Sequence, residues 1–475
     1  MSKDSNDKKR TLFSFFQPLS QPPTSSSPSG SSQVRANSST STPATKNNSS
    51  TPSRATKKDT LKDGRGADWS GAVRAIAEYQ PYLYAILSSV EADDLLLSSD
   101  PNFLWKSSLS SQGLKKGRTK VALPSFHFEL TATLLSCGIC LSNAAAVLVS
   151  SLGSYEVSSS VSSAAISTHD ETVNQAADML CRASGVFLHL AETVIPRWEA
   201  AVGIDSLRAR PVEFTRDAAT ALSKMCLADA NLLAIRRLLS RSLSVAHSTT
   251  TPGPPLPTSH PSPSLLSKLH LQVYSHYDEA RSLLKSSSST STEISPLIRR
   301  YLSDGRQLAL SLAYKWLGVD NGERSETGEA LGWLSMASKA LDELNDKDRG
   351  VNKLKFGKGK SAGKARKGKV QEEIESVQAF TKAYKKVNDT VHFQPIPSAQ
   401  TLQARLPSGR PALSLKPYSP SPPAFRPTGP ANGSILPPKR VPPPPSLEGL
   451  SLQDADDSSD DDEDDGNYLG AGQYF

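Results

Sequence analysis

Cysteine is scarce in this chain: Cys137, Cys140, Cys181 and Cys226 are the only four in 475 residues. So few thiols exclude a disulfide-stapled scaffold. Met1–Arg10 is polar and charged, so no secretory leader is read there. Cys137 and Cys140 have the C-x-x-C spacing of redox proteins. That chemistry needs a strand running into a helix that starts at the motif and lowers the thiol pKa. Here the pair lies inside Leu130–Val149, a long run of small and apolar residues, which predicts buried structural thiols. Aromatics are few as well, at 6%.

Chemistry-bearing motifs are missing too. The short Gly357–Lys360 stretch follows no apolar strand, so it predicts no phosphate loop. No His, Cys and Asp residues fall at metal-ligand spacing, and there is no Gly-x-Ser-x-Gly elbow or zinc-protease helix. His127 and His189 lie within helical runs and read as packed histidines. Together these absences predict a protein that is not an enzyme and needs no cofactor or metal.

Charge of one sign is lacking overall. The formal net charge is +7, with lysines gathered in Lys353–Lys369 and aspartates in Asp454–Asp465. A uniformly basic nucleic-acid binder would not carry such an acidic block, so no nucleic-acid partner is expected. The uncharged run from Leu130 to Gly153 has the length of a membrane span. Thr131, Thr133, Ser136, Ser142 and Asn143 dilute it, and no Lys/Arg cluster or aromatic belt flanks it. A buried central helix is predicted, not a transmembrane segment.

Serine and proline are present in excess, and they fall at the ends. Residues 1–64 form a Ser/Thr/Pro-rich arm that cannot bury enough surface to offset its ordering entropy. Within it, Leu12, Phe15 and Phe16 have the spacing of the sliding-clamp-binding motif of DNA repair proteins, with Lys9 where that motif usually has glutamine. Residues 65–398 show helical periodicity: Val73, Ile76 and Leu83; Met179, Val186 and Leu190; Leu266, Leu269 and Val273; Leu331, Leu334 and Leu341. Pro196 is expected to end or kink its helix. Ser/Thr/Pro-rich and Gly/Lys-rich loops are expected near 240–263 and 350–369. Convincing period-two alternation is lacking, so little sheet is expected. Residues 399–475 read as a disordered Pro-rich and acidic tail. In it, Pro437–Pro445 has the look of a polyproline ligand for an SH3- or WW-type partner.

Five segments carry a family resemblance, in order. Phe126–Leu130 leads into an apolar helix ending at Asn143–Ala146. Ala183–Val194, Leu222–Ala230 and Gly328–Leu334 follow, and Tyr384–Pro397 closes the set. Together they resemble the Bro-domain family, closest to its fungal pH-response members. The resemblance covers about Trp69 to Pro397. It departs at the start, where the family's opening strands are not evident.

The resemblance implies an all-α, boomerang-shaped domain with a tetratricopeptide-like helical core. It implies a non-enzymatic adaptor in ambient alkaline-pH signalling. Family members bind the amphipathic C-terminal helix of the ESCRT-III core filament subunit, by helix-in-groove recognition. Such an adaptor would help assemble the machinery that activates a transcription factor by proteolysis. It would sit in the cytoplasm, peripherally at endosomes or cortical plasma-membrane sites. On the helix Thr215–Leu239, the residues Leu222, Met225, Asp229 and Leu232 recur along one side and are the expected protein-binding stripe, Asp229 pairing with a partner lysine. The Lys353–Lys369 loop could touch acidic head groups. The competing reading is a sliding-clamp-associated DNA-metabolism protein, which rests on Leu12, Phe15 and Phe16 alone.

Overall fold

The computed structural model describes residues 68–427, apart from 108, 112–119, 153–162, 204–206, 208–209, 247–253, 287–292 and 353–359. The arm with Leu12, Phe15 and Phe16, the Pro437–Pro445 segment and the Asp454–Asp465 block lie outside the described residues.

Helix α1 (Trp69–Glu91) begins where the Asp68 carboxylate accepts the Gly71 N–H at 2.7 Å, an N-cap that satisfies one orphan donor. Strands β1 (Asn102–Lys106), β2 (Ser110–Ser111) and β3 (Lys120–Pro124) follow, then α2 (Phe126–Leu152) and α3 (Ser163–His189). A π-helical turn, Leu190–Val194, joins α3 to α4 (Ile195–Val202). Pro196 falls in the first turn of α4, where its missing N–H is tolerated. The widened turn just before it is the local form of the expected kink.

Next come α5 (Arg216–Ala246), α6 (Pro263–Ser286), β4 (Glu293–Ile294), α7 (Pro296–Glu323), α8 (Thr327–Asn352), α9 (Lys360–Val387) and the short α10 (Ala399–Gln403). The helices stack in chain order: α1 on α2, α2 on α3, α3 on α5, then α5 through α9 in sequence. Near-neighbour stacking of this kind is how helical-repeat arrays build one continuous core.

Helix α2 is uncharged after its first turn because it lies in that core. Its most apolar window is 78% buried, and α5 contains a window 83% buried. Both helices are long and apolar enough to cross a membrane, but α1, α3 and α6 cover their surfaces. Trp105, Phe128, Trp198 and Phe214 meet beside α2, with ring centroids 5.1–6.4 Å apart. At the far end, the buried Lys315 ammonium donates to Glu373 at 2.7 Å, tying α7 to α9.

Several sequence expectations need correction. The opening strands exist. β1 pairs antiparallel with β3, Asn102 opposite Pro124 and Lys106 opposite Lys120, and β2 pairs with β4. They are too short to alternate visibly. Leu104 is exposed, and β1 is held chiefly by Trp105, whose indole N–H donates to the buried Glu213 at 3.1 Å.

The expected loops are also shorter than their composition suggested. α5 continues to Ala246, α8 to Asn352, and α9 begins at Lys360. Nor does the folded body end at 398. Leu402 of α10 is fully buried, Leu406, Ala412, Leu413 and Tyr418 pack against the core, and the Ala424 N–H bonds to Pro81. A segment rich in proline has no periodicity of its own to announce such packing.

Candidate partner-binding face

The four stripe residues all lie on α5, but the structure separates them. Leu222 and Met225 are buried in the core, and so is Asp229. Only Leu232 is half-buried, packing at the edge of the core. The expectation that all four face a partner is therefore corrected for the first three. α5 has neighbours on most of its circumference, so positions three or four apart all meet other helices.

Asp229 does not await a lysine. The hydroxyls of Tyr277 and Tyr301 both donate to its Oδ1, the second at 2.6 Å. Burial raises its carboxyl to about 7, against the lowering effect of the two tyrosine bonds. Asp229 thus joins α5 to α6 and α7 from inside.

Two residues further on, Asn231 does something the sequence reading missed. Its Oδ1 accepts the backbone N–H groups of Ala412, at 2.8 Å, and Leu413, at 3.0 Å. Its Nδ2 donates to the carbonyls of Leu227 and Leu413. All four bonding positions of the buried amide are filled.

Asn231 thereby clamps an extended strap, residues 406–425, which runs back across the helices. The Arg410 N–H reaches the Lys268 carbonyl on α6 at 3.0 Å, the Lys416 N–H reaches Cys181 on α3 at 3.1 Å, and the Ala424 N–H reaches Pro81 on α1 at 2.9 Å. The Lys416 ammonium pairs with Asp178. The Tyr418 ring lies against His189, centroids 5.0 Å apart, and its hydroxyl donates to Gln80. Gly185 shows why this crossing needs a small residue. A Cβ there would stand 1.8 Å from the Lys416 carbonyl oxygen. Gly185 belongs to the Ala183–Val194 segment of the family resemblance, which was the available signal.

Beside the strap, Leu232 on α5 and Leu406 and Leu413 on the strap are half-buried apolar groups. The side chains of Lys268 and Arg410 make no ion pair with any described residue. At the clamp, half-buried Leu413 thus lies three residues from Arg410, which is bonded to Lys268 through its backbone.

A second polar anchor lies at the end of α9. The buried Asn388 accepts from Thr327 Oγ1 at 2.7 Å and the Gln394 N–H at 3.0 Å, and donates to the Gln394 carbonyl. This holds Phe393, a residue 73% exposed, at φ +52°, a left-handed backbone rare for a bulky residue.

The four thiols are free and buried. Burial pushes Cys137 to about 11 and Cys140 to about 12, which suppresses the thiolate that redox exchange requires. Among the described residues no group of three His, Cys, Asp or Glu could hold a metal ion.

The helical stack belongs to a known class of domain. The BRO1-like domain family matches residues 37–424, a span that takes in all but the last residue of the strap, and the chain belongs to that family. It is a family of non-enzymatic, adaptor-type proteins, and this chain is one of them. Among individual relatives, the chain is similar to the pH-response regulator protein palC of Cryptococcus neoformans var. neoformans serotype D, with 35% identity over 457 residues, 86% of this chain and 89% of that one. Two solved structures are similar at 18% identity. ALIX in complex with the SIVmac239 PYKEVTEDL late domain matches with a TM-score of 0.50, over 76% of this chain and 43% of that one. An ALIX BRO1–CHMP4C complex matches with a TM-score of 0.49, over 78% and 88%. At this identity the first of these likenesses speaks to the fold alone.

Proposed function

We propose that this protein is a pH-response adaptor that binds the amphipathic C-terminal helix of an ESCRT-III core subunit on the face between α5, α6 and the strap. Family membership supplies the adaptor class, and similarity to a pH-response regulator points to alkaline-pH signalling. CHMP4C, held by the BRO1 domain of ALIX, indicates the kind of partner. The observation that carries the site is the Asn231 clamp, which seats half-buried Leu413 on α5 three residues from Arg410, whose backbone bonds to Lys268 of α6; the side chains of Lys268 and Arg410 have no ion-pair partner among the described residues. An amphipathic helix would set its apolar ridge on the leucines and its acidic flank against the cations.

On this reading Leu222, Met225 and Asp229 hold the wall from within, and Leu232 is the stripe member that touches the partner. The adaptor would act in the cytoplasm, peripherally at endosomes or cortical sites, helping to assemble the complex that activates a transcription factor by proteolysis. An SH3- or WW-type partner for Pro437–Pro445 remains a separate proposal.

The test is calorimetric titration of the full chain with a synthetic C-terminal helix of the ESCRT-III core subunit. Lys268→Glu with Arg410→Glu should weaken binding by about tenfold or more, roughly 1.4 kcal/mol, without lowering the melting temperature. Unchanged affinity in the double variant would move the site elsewhere. No binding by the folded wild type would remove the ESCRT-III partner.

A further inference from the structure

A cleft of about 340 Å³ opens where α1, α2, α3 and the strap meet, away from the face assigned to the helix partner. The helical repeat places its floor. Val73 and Ala77 stand one turn apart on α1, Cys137 and Leu141 on α2, and Val186 closes the floor from α3. All five are apolar or weakly polar. The rim is cationic, formed by Arg74 of α1, Arg182 of α3 and Lys416 of the strap, and among the described residues no acidic side chain lines the cleft.

Lys416 is engaged by Asp178. Neither Arg74 nor Arg182 makes an ion pair or hydrogen bond to a described residue. Arg182 is half-buried, so its charge stands beside an apolar wall where water screens it less.

Gln80 gives an independent indication. Its side chain lines the cleft and is 3% exposed. Its Oε1 accepts the Tyr418 hydroxyl at 2.9 Å, while its Nε2 has no partner among the described residues. Buried donors are nearly always paired in folded proteins, and of the buried side-chain polar atoms left open among the described residues this is the one that lines the cleft. Ser419 and Ser421 of the strap line the same cleft.

We propose that this cleft is a binding site for an organic phosphate, with the phosphate held by Arg74, Arg182 and Gln80 Nε2 and an apolar stem on the Val73–Leu141 floor. Two guanidinium forks and an amide donor match the several acceptor oxygens of a phosphate better than a single point charge would. The volume lies at the small end for ligand sites. It takes a head group and its first carbons, not a whole diacyl chain. The ligand is therefore either the head-group end of an anionic phospholipid or a soluble phosphate monoester. The site does not depend on the helix-docking reading.

The experiment is calorimetric titration of the full chain with dihexanoyl phosphatidic acid kept below its micellar concentration, inorganic phosphate, and dihexanoyl phosphatidylcholine. Flotation on phosphatidylcholine vesicles with and without phosphatidic acid runs alongside. Saturable one-site binding of the phosphatidic probe is expected, with phosphatidylcholine about tenfold weaker or worse. Arg74→Gln with Arg182→Gln should cost about tenfold or more, and Gln80→Leu several-fold. Arg74 is exposed, so Arg74→Gln alone keeps the test alive if the double variant misfolds. Flotation that the variants abolish identifies the lipid source, and probe binding without flotation identifies a soluble phosphate; either supports the site. No binding of the phosphatidic probe or inorganic phosphate would overturn the proposal. So would an affinity unchanged in the arginine variants, or phosphatidylcholine binding as tightly.

Discussion

Asp229 and Asn231 stand two residues apart on α5, are similar in size, and are 3% and 1% exposed, yet they face different problems. Asp229 points inward, where the hydroxyls of Tyr277 and Tyr301 reach it, and burial favours its protonated form. Asn231 points to the strap and is neutral, with donors and acceptors that copy a peptide group. It is satisfied by backbone alone, much as a neighbouring strand would satisfy it. A carboxyl thus joins side chains within the core, and an amide joins the core to a chain segment that has no secondary structure of its own. Asn388 repeats the amide solution at the Phe393 turn.

The largest expected effect tests the Asp229 side. Burial raises this carboxyl from 3.8 to about 7, so between roughly pH 4 and 7 the folded protein holds a proton that the unfolded chain has released. Protons bound preferentially by the folded state stabilise it at the acid end of that window. The contribution of Asp229 therefore falls as pH rises to about 7 and is level above it. The rise in pKa corresponds to on the order of 4 kcal/mol. Asp229→Asn cannot titrate, so in urea titrations the variant's stability relative to wild type should climb by up to about 4 kcal/mol from pH 4 to 8. A difference independent of pH would contradict the buried Tyr277–Asp229–Tyr301 arrangement.

A smaller and more local effect belongs to Asn231. Asn231→Ala removes the acceptor for Ala412 and Leu413 and should free the strap at a cost of about 2 kcal/mol. Hydrogen exchange should quicken about 30-fold at the amides of 410–418, while α7 and α8 keep their protection. Uniform loss of protection across the helices would mean that strap and core unfold as one unit, and the contrast with Asp229 would collapse.

The smallest change is predicted at the third anchor. Phe393→Gly puts the residue best suited to φ +52° at an exposed position, so stability should shift by no more than about 1 kcal/mol in thermal melts. A larger loss would show that the Phe393 ring has a packing role.

Much of the fold was legible in the sequence because helices announce themselves locally. The periodic leucines of α6 and α8 and the uncharged interior of α2 each require a buried face whatever the neighbours are. The candidate site was less legible. Leu222, Met225, Asp229 and Leu232 share a side of α5, but periodicity cannot say whether that side meets solvent, a partner or another helix. Three of the four meet the core. The short strands β1 and β3 escaped because five residues give too little alternation, and the strap escaped because Pro-rich composition reads as unpacked chain.

The sequence by itself determined the helical class, the absence of recognisable catalytic motifs and the ordered segments that mark the family, since these depend on residue type and short spacing. Tertiary structure alone decided which face of α5 is covered, that residues 406–425 cross it as a strap, and that Arg74, Arg182 and Gln80 converge on one cleft. These are contacts between residues as many as about 340 positions apart, as Gln80 and Tyr418 are, and no local pattern encodes such pairings.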